Sequence, residues 1–292
     1  QCVPFDKGMR MRTLIFGSKG QLGRDLERLF AAEGEVEGYD LPEVDVADAG
    51  TVRTVLEAFV PDLVLNAAAY TNVDRAEEEP EAAFAANKTG ARNVALAAAA
   101  IGAPMVHYST DYVFGGTERR PYVPEDAVAP IGVYGRSKAA GESAVRAANP
   151  KHFIVRTAWL YGPGGDNFVE KILRAASSRP SLKVVEDEVG SPTHTLDLAW
   201  ATRALCGTDA WGTYHAVNRG ECSRFVFAKA ILDEAGLDTP IAPCASSEFP
   251  TRAQRPLYSV LSVDKLEGVT EHAVRPWREA LQDYIKRRNT HT

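Results

Sequence analysis

Tyr134 and Lys138 stand four residues apart, and Ser109-Thr110-Asp111 lies upstream of them. On a helix, residues i and i+4 share one face, so this phenol and this ammonium can meet. An ammonium beside a phenol stabilises the phenolate and lowers the tyrosine pKa toward working pH, which makes Tyr134 a usable acid or base. Thr110, at the end of a strand signal, can hydrogen-bond the same substrate oxygen. Tyr-x-x-x-Lys alone is a common coincidence on a solvated helix face. Its weight here comes from what else the chain carries.

Gly17-Ser18-Lys19-Gly20-Gln21-Leu22-Gly23 forms GxxGxxG directly after a strand signal and opens a helix. Such glycines permit a tight turn and let the backbone approach a pyrophosphate, while the helix N-terminus offers free N–H groups and a positive dipole end. An ordinary glycine-rich strand–helix turn is the plainer reading, but the place at the first such junction favours a nucleotide site. Asp40 ends the second strand signal, 20 residues after Gly20. A carboxylate there can accept hydrogen bonds from an adenosine ribose, favouring NAD over NADP; a loop or capping aspartate is the other reading. Asp45 is a second candidate for the adenosine end. No arginine closely follows Asp40 to neutralise a 2′-phosphate, so NADH and NADPH both stay open. Asn66-Ala67-Ala68-Ala69-Tyr70-Thr71 follows the third strand signal, and its small residues would let a cofactor lie against the strand end.

These groups need elements to hold them, and the first half of the chain alternates strand and helix signals. Strands are expected at Thr13–Phe16, Val36–Tyr39, Asp62–Leu65, Met105–Tyr108 and Phe153–Val155. Between them, Leu22, Leu26, Leu29 and Phe30 recur at helical spacing, as do Val52, Val55, Leu56 and Phe59. Glu81–Ile101 reads as one long Ala-rich helix and Tyr134–Ala147 as another. Strict alternation predicts an α/β fold with a doubly wound parallel sheet and right-handed crossovers. Beyond Tyr161 the rhythm weakens into helices near Asn167–Ala176 and Leu196–Leu205, one capped by Ser223, and a last one opening at Pro276-Trp277. The expected division is a tail at 1–11, a dinucleotide-binding domain at 12–161 and a smaller α/β substrate-binding region at 162–292, with some segments able to return to the first.

The 292 residues are 45% hydrophobic and 25% charged, a globular composition that excludes disordered and collagen-like classes. Lys plus Arg is 33 against 39 Asp plus Glu, a net charge of −6, which does not suit nucleic acid. Cys2, Cys206, Cys222 and Cys244 form no CxxC and the histidines no HExxH, so no metal is expected. Scattered cysteines fit a reducing cytoplasm. The longest apolar run, Val94–Ile101, is far short of a membrane span.

In this order, the glycine set, Asn66–Ala69, Ser109–Asp111 and Tyr134/Lys138 resemble the extended short-chain dehydrogenase/reductase family, a Rossmann-like fold. Phe16–Gly23, Leu65–Glu77, His107–Gly116 and Pro130–Glu142 carry the likeness, as do Arg156–Gly162, Asn167-Phe168, Gly190–Thr193 and Arg255–Ser259. Within that family the resemblance is to reductases of dTDP-linked 4-keto-6-deoxy sugars. It implies reduction by NADPH or NADH of the C4 ketone, with dTDP-4-dehydro-L-rhamnose becoming dTDP-L-rhamnose. It also implies that Gly20, Gln21 and Leu22 hold the cofactor pyrophosphate, and that Ala69, Tyr70, Thr71 and Tyr108 line the cofactor groove. Tyr134 would be the proton donor and Lys138 its partner, also on the nicotinamide ribose. Thr110 and Asp111 would meet the sugar, Trp159 would cover it, and Arg255 would bind the nucleotide diphosphate. The chain departs from its relatives at Tyr258, where they often carry asparagine, and at Asp25, where some carry a glutamate tied to a metal at a dimer contact. Other readings stay open: a related ketoreductase of antibiotic-sugar synthesis, a dehydratase or epimerase of the same fold, or a non-catalytic NADP-binding regulatory subunit. Dehydratases follow the Thr-Asp pair with a glutamate, and here that residue is Tyr112. The oligomeric state is open, a homodimer among the choices.

Overall fold

The structure, a computed structural model, describes residues 10–290. Most of the expected tail therefore lies outside the described residues. Six strands build one parallel sheet: β1 (Met11–Phe16), β2 (Gly34–Tyr39), β3 (Leu63–Asn66), β4 (Met105–Thr110), β5 (His152–Thr157) and β6 (Gly212–His215). Across the sheet they run β6-β5-β4-β3-β1-β2, each pair parallel. Met11, read from sequence as tail, pairs with Gly34 as the first residue of β1. β6 was not anticipated, because four residues of mixed polarity carry no readable period. It pairs with Phe153–Arg156 of β5, so the second half of the chain completes the sheet of the first.

Parallel strands covered on both faces carry apolar runs, as Leu14-Ile15-Phe16, Leu63-Val64-Leu65 and Phe153-Ile154-Val155 do in the centre of this sheet, whereas the edge strand β2 (Gly34–Tyr39) has two glutamates and no buried residue. Ile15, Leu65, Val106 and Val155 pack with Leu22, Leu26 and Phe30 of the helix Gln21–Ala31 and with Leu198 and Leu205 of the helix Thr195–Cys206. Leu14, Phe16, Val64 and Ile154 point the other way, onto Val52, Leu56, Phe59, Val94 and Ala98. A second core, from Tyr161 through Phe227 and Ile231 to Trp277 and Leu281, sits under the C-terminal helices. No helix among the described residues is long and apolar enough to cross a membrane.

The long helix expected at Glu81–Ile101 is broken. A short helix, Pro80–Phe84, passes through a π-helical turn, Ala85–Gly90, into the helix Ala91–Ala100. Widened turns of this kind cluster at functional sites. Here the buried Asn87 side chain accepts from the Tyr70 N–H at 2.9 Å and donates to the Tyr70 carbonyl at 3.1 Å and to Ser137 Oγ at 2.9 Å. Alanine periodicity gives no hint of that detour.

The helix Val133–Ala148 carries Tyr134 and Lys138, and one turn further on, Glu142. Glu142 is fully buried. Its Oε1 accepts from Ser109 Oγ at 2.7 Å and Arg156 Nε at 2.8 Å, and its Oε2 from a second Arg156 nitrogen at 2.8 Å. Arg156 also donates to the Pro124 carbonyl at 3.1 Å. One ion pair thus fastens this helix to both β4 and β5. Removing one charge strands the other in the interior, which costs about 3–5 kcal/mol. Glu142→Gln should therefore lower stability by about that amount in urea unfolding. A change within about 0.5 kcal/mol, the scale of a surface substitution, would show that the pair carries no such role.

Candidate active site

In an open parallel sheet the ligand crevice forms at the carboxyl ends of the strands, where chain direction across the sheet reverses. Here β2 and β3 lie on opposite sides of β1. A cleft of about 510 Å³ opens above them, lined by residues that follow β1 through β5.

The three glycines after β1 do three different jobs. Gly17 has φ of +78°, and a Cβ on it would lie 2.6 Å from the Ala68 nitrogen, so the turn itself demands glycine. A Cβ on Gly23 would lie 2.1 Å from the Gly17 carbonyl oxygen, so bare backbone lets the helix press onto the turn. At Gly20 a Cβ would meet nothing nearer than that oxygen at 3.2 Å; its missing side chain leaves room in the cleft. Gly20 caps the helix without a side-chain hydrogen bond. Gln21, Leu22 and Gly23 also line the cleft, and their N–H groups have no partner inside the helix. This cradle fits the pyrophosphate of a nicotinamide dinucleotide.

Asp40 and Asp45 line the same cleft beyond β2. Both oxygens of Asp40 accept backbone N–H groups, from Lys19 at 3.1 Å and Leu41 at 2.8 Å, and Asp45 accepts from Ala47 at 2.9 Å. Ala69 and Thr71 line the cleft after β3, but Tyr70 does not. Its hydroxyl donates to Glu79 at 2.8 Å, and its ring packs with Ala76, Ala83 and Val133. Tyr70, expected to line the groove with its neighbours, thus has its side chain turned to Glu79 while Ala69 and Thr71 on either side of it face the cleft.

Tyr108, Thr110, Asp111, Tyr134 and Lys138 meet at the end of β4. Tyr108 sends its hydroxyl to Thr202 at 3.0 Å and offers its carbonyl to Lys138 Nζ at 2.6 Å. Burial pushes the Lys138 ammonium down to about 8, and Glu142 opposes the shift. The expected lowering of Tyr134 by Lys138 is reversed in this structure. Burial is the largest influence and raises the phenol, with only a hydrogen bond to Thr110 acting against it. A tyrosine kept neutral is suited to give a proton. Thr110 Oγ1 donates to Asp111 at 2.9 Å and accepts from the Tyr112 N–H at 3.1 Å. Ser259 donates to the other Asp111 oxygen at 2.6 Å. Burial lifts Asp111 to about 6 despite these two hydrogen bonds.

Trp159 lines the cleft after β5 with φ of +46°, a strained backbone for a bulky side chain. Its ring is sandwiched: a Cβ on Gly190 would touch it at 2.6 Å, and the Arg224 guanidinium lies 3.5 Å from its centroid on the cleft wall. Arg255, expected at a diphosphate, is not on the cleft. It pairs with Asp74 at 2.7 Å and donates to Thr251 and to the Ala253 carbonyl, because Asp74 reaches it from the loop after β3. Tyr258 donates to Glu221 at 2.9 Å, and Asp25 accepts from Thr195 at 2.5 Å. Among the described residues no His, Cys, Asp and Glu group is placed to hold a metal. Asn87, Glu142, Ser259 and Arg224 were given no role; of these Glu142 had a signal in its spacing of four from Lys138, and Ser259 in closing the Arg255–Ser259 segment.

Residues 11–290 match the family described as the RmlD substrate binding domain. The chain is 42% identical to the spore coat polysaccharide biosynthesis protein SpsK of Bacillus subtilis, over 96% of this chain and 98% of that protein. It is 43% identical to a dTDP-4-dehydrorhamnose reductase of Mycolicibacterium smegmatis, over 95% of this chain and 86% of that one. The solved dTDP-4-dehydrorhamnose reductase of Bacillus anthracis, in complex with NADP, superposes with a TM-score of 0.92 at 39% identity. It covers 96% of this chain and 100% of its own.

Two outcomes follow from the geometry. Gly20→Val places methyls in the cradle without touching the core, so NADPH affinity measured by fluorescence should drop about 10-fold or more while the melting temperature holds. An unchanged dissociation constant would make the turn purely structural. Asp111, raised by burial from 3.8 to about 6, binds a proton in the folded protein that the unfolded chain has already released across that interval. Its contribution to stability is full below about pH 4 and is lost as pH rises through about 6. Asp111→Asn should remove that loss, gaining on the order of 2–3 kcal/mol over wild type between pH 4 and pH 7. Parallel stability curves for the two proteins would refute the assignment.

Proposed function

The chain belongs to the RmlD substrate binding domain family, and from that premise we propose that it reduces the C4 ketone of a dTDP-linked 4-keto-6-deoxy sugar, dTDP-4-dehydro-L-rhamnose, to dTDP-L-rhamnose with NADPH or NADH. The observation that carries this reading is the convergence of Thr110, Tyr134 and Lys138 on the cleft that also holds the glycine cradle. Identities above 40% over nearly the whole chain to a named reductase support it.

The nicotinamide supplies a hydride for the ketone carbon; the protein supplies geometry and a proton. Gly20, Gln21 and Leu22 hold the pyrophosphate, and Ala69, Thr71 and Tyr108 line the groove beyond it. Tyr134, kept protonated by burial, hands its proton to the ketone oxygen as that oxygen gains charge. Thr110 fixes the Tyr134 hydroxyl, and Asp111 in turn fixes Thr110. Lys138 shares the helix face of Tyr134 and stabilises the phenolate left behind. Asp111 and Trp159 shape the place of the sugar. A dehydratase also needs a base at sugar C5 followed by an acid, and Asp111 is followed by Tyr112, a buried phenol pushed up to about 12. The intact Thr110, Tyr134 and Lys138 favour an enzyme over a regulatory subunit.

The test is an absorbance assay. Given the 4-keto-6-deoxy sugar, the protein should oxidise one reduced cofactor per sugar, and it should leave dTDP-glucose untouched. Tyr134→Phe should bind NADPH normally and turn over about 10²-fold more slowly, the scale of a lost general acid. Consumption of dTDP-glucose without net cofactor oxidation would replace this reading with a dehydratase.

A further inference from the structure

Arg224 opens the helix Arg224–Ala235 and lines the cleft. Its side chain is 16% exposed, yet among the described residues its guanidinium donates no hydrogen bond. One face stacks on Trp159, and the nearest carboxylate, Glu188, is 3.6 Å away as an ion pair. Arginine carries five N–H donors, so this partly buried guanidinium keeps donor capacity facing the open cleft. The other arginines nearby are spoken for: Arg156 by Glu142 and the Pro124 carbonyl, Arg255 by Asp74, Thr251 and Ala253.

The cleft itself is acidic. Among the described residues, Asp40, Asp45 and Asp111 line it against two cations, Lys138 and Arg224. Lys138 is buried and held on the Tyr108 carbonyl. The strand order arranges the cleft: Asp40 follows β2 at one edge, the glycine cradle follows β1, Thr110 ends β4, and Trp159 follows β5. Arg224, stacked on Trp159, therefore stands past the proton donor, at the end away from the adenosine. A sugar whose ketone lies at Thr110 and Tyr134 must carry its diphosphate out through that end.

We infer that Arg224 is the anchor for the substrate's diphosphate, with Trp159 as its rigid backing, in the role expected for Arg255. The planar fork offers its free edge to phosphate oxygens, while stacking and Glu188 hold its orientation. The inference rests on the dTDP-sugar reading.

Calorimetry with dTDP and with thymidine tests it on wild type, Arg224→Gln and Arg224→Lys, alongside steady-state kinetics. Arg224→Gln should weaken dTDP binding and raise KM for the dTDP-linked sugar about 10-fold or more, the scale of a lost charge-assisted hydrogen bond pair. Its affinities for thymidine and NADPH should match wild type. Arg224→Lys should recover part of the loss, since the charge remains. Unchanged dTDP affinity in Arg224→Gln would overturn the proposal. So would equal losses for dTDP and thymidine, which would reduce Arg224 to a prop for Trp159. A wild-type protein that binds dTDP through Arg224 but oxidises no cofactor with the sugar would fail the reductase reading and leave the anchor standing.

Discussion

The buried pair of Glu142 and Arg156 is the constraint on which the site depends. Tyr134, Lys138 and Glu142 repeat every fourth residue, so one stripe of one helix carries the proton donor, its partner and the fastening. Arg156 reaches Glu142 from β5, and Ser109 reaches it from β4, one residue before Thr110. The helix can therefore neither roll nor slide without stranding charge in the interior. Asn87 adds a second tether from the far side, binding Ser137 and the Tyr70 backbone. Thr110 ends β4 and Tyr134 opens the following α-helix, and these fastenings hold their hydroxyls in register.

Electrostatics at the site follow from the same enclosure. Burial disfavours charge on every titrating group there: it raises Tyr134 and Asp111 and lowers Lys138. Hydrogen bonds oppose the shift at Asp111 and Tyr134 without overcoming it. The site thus keeps a neutral phenol above a carboxyl that titrates near neutrality, joined through the Thr110 hydroxyl. That is a store of one transferable proton at the end of the cleft away from the more open carboxylates Asp40 and Asp45.

Much of this was legible in the residues. The glycine set, the small residues after β3, the hydroxyls ending β4 and the Tyr134/Lys138 spacing all use local signals, and local signals survive in sequence. The core strands were legible for the same reason, since runs such as Leu14-Ile15-Phe16 need no tertiary context. What could not be read depends on partners far along the chain. Arg255 looked like a phosphate ligand until Asp74 took it, and Arg224 looked like any residue after a capping serine. The π-helical turn hides in alanines, because what drives it is the amide of Asn87 rather than a periodicity. The Tyr134 shift went the other way because enclosure of the phenol, which no spacing reveals, raises it, while the Lys138 ammonium is drawn to the Tyr108 carbonyl.

β6 sets the order in which the molecule can be completed. Residues 212–215 pair with β5 only after the chain has passed through the helices Phe168–Ser178 and Thr195–Cys206. During synthesis the nucleotide half therefore waits, with one side of β5 offering unpaired N–H and C=O groups, until the intervening segment has emerged. An open edge of this kind is a template for pairing with other chains. β6 then becomes the edge itself, and at four residues it is a shorter template than β5, while long sequence separation makes its pairing a late, slow contact.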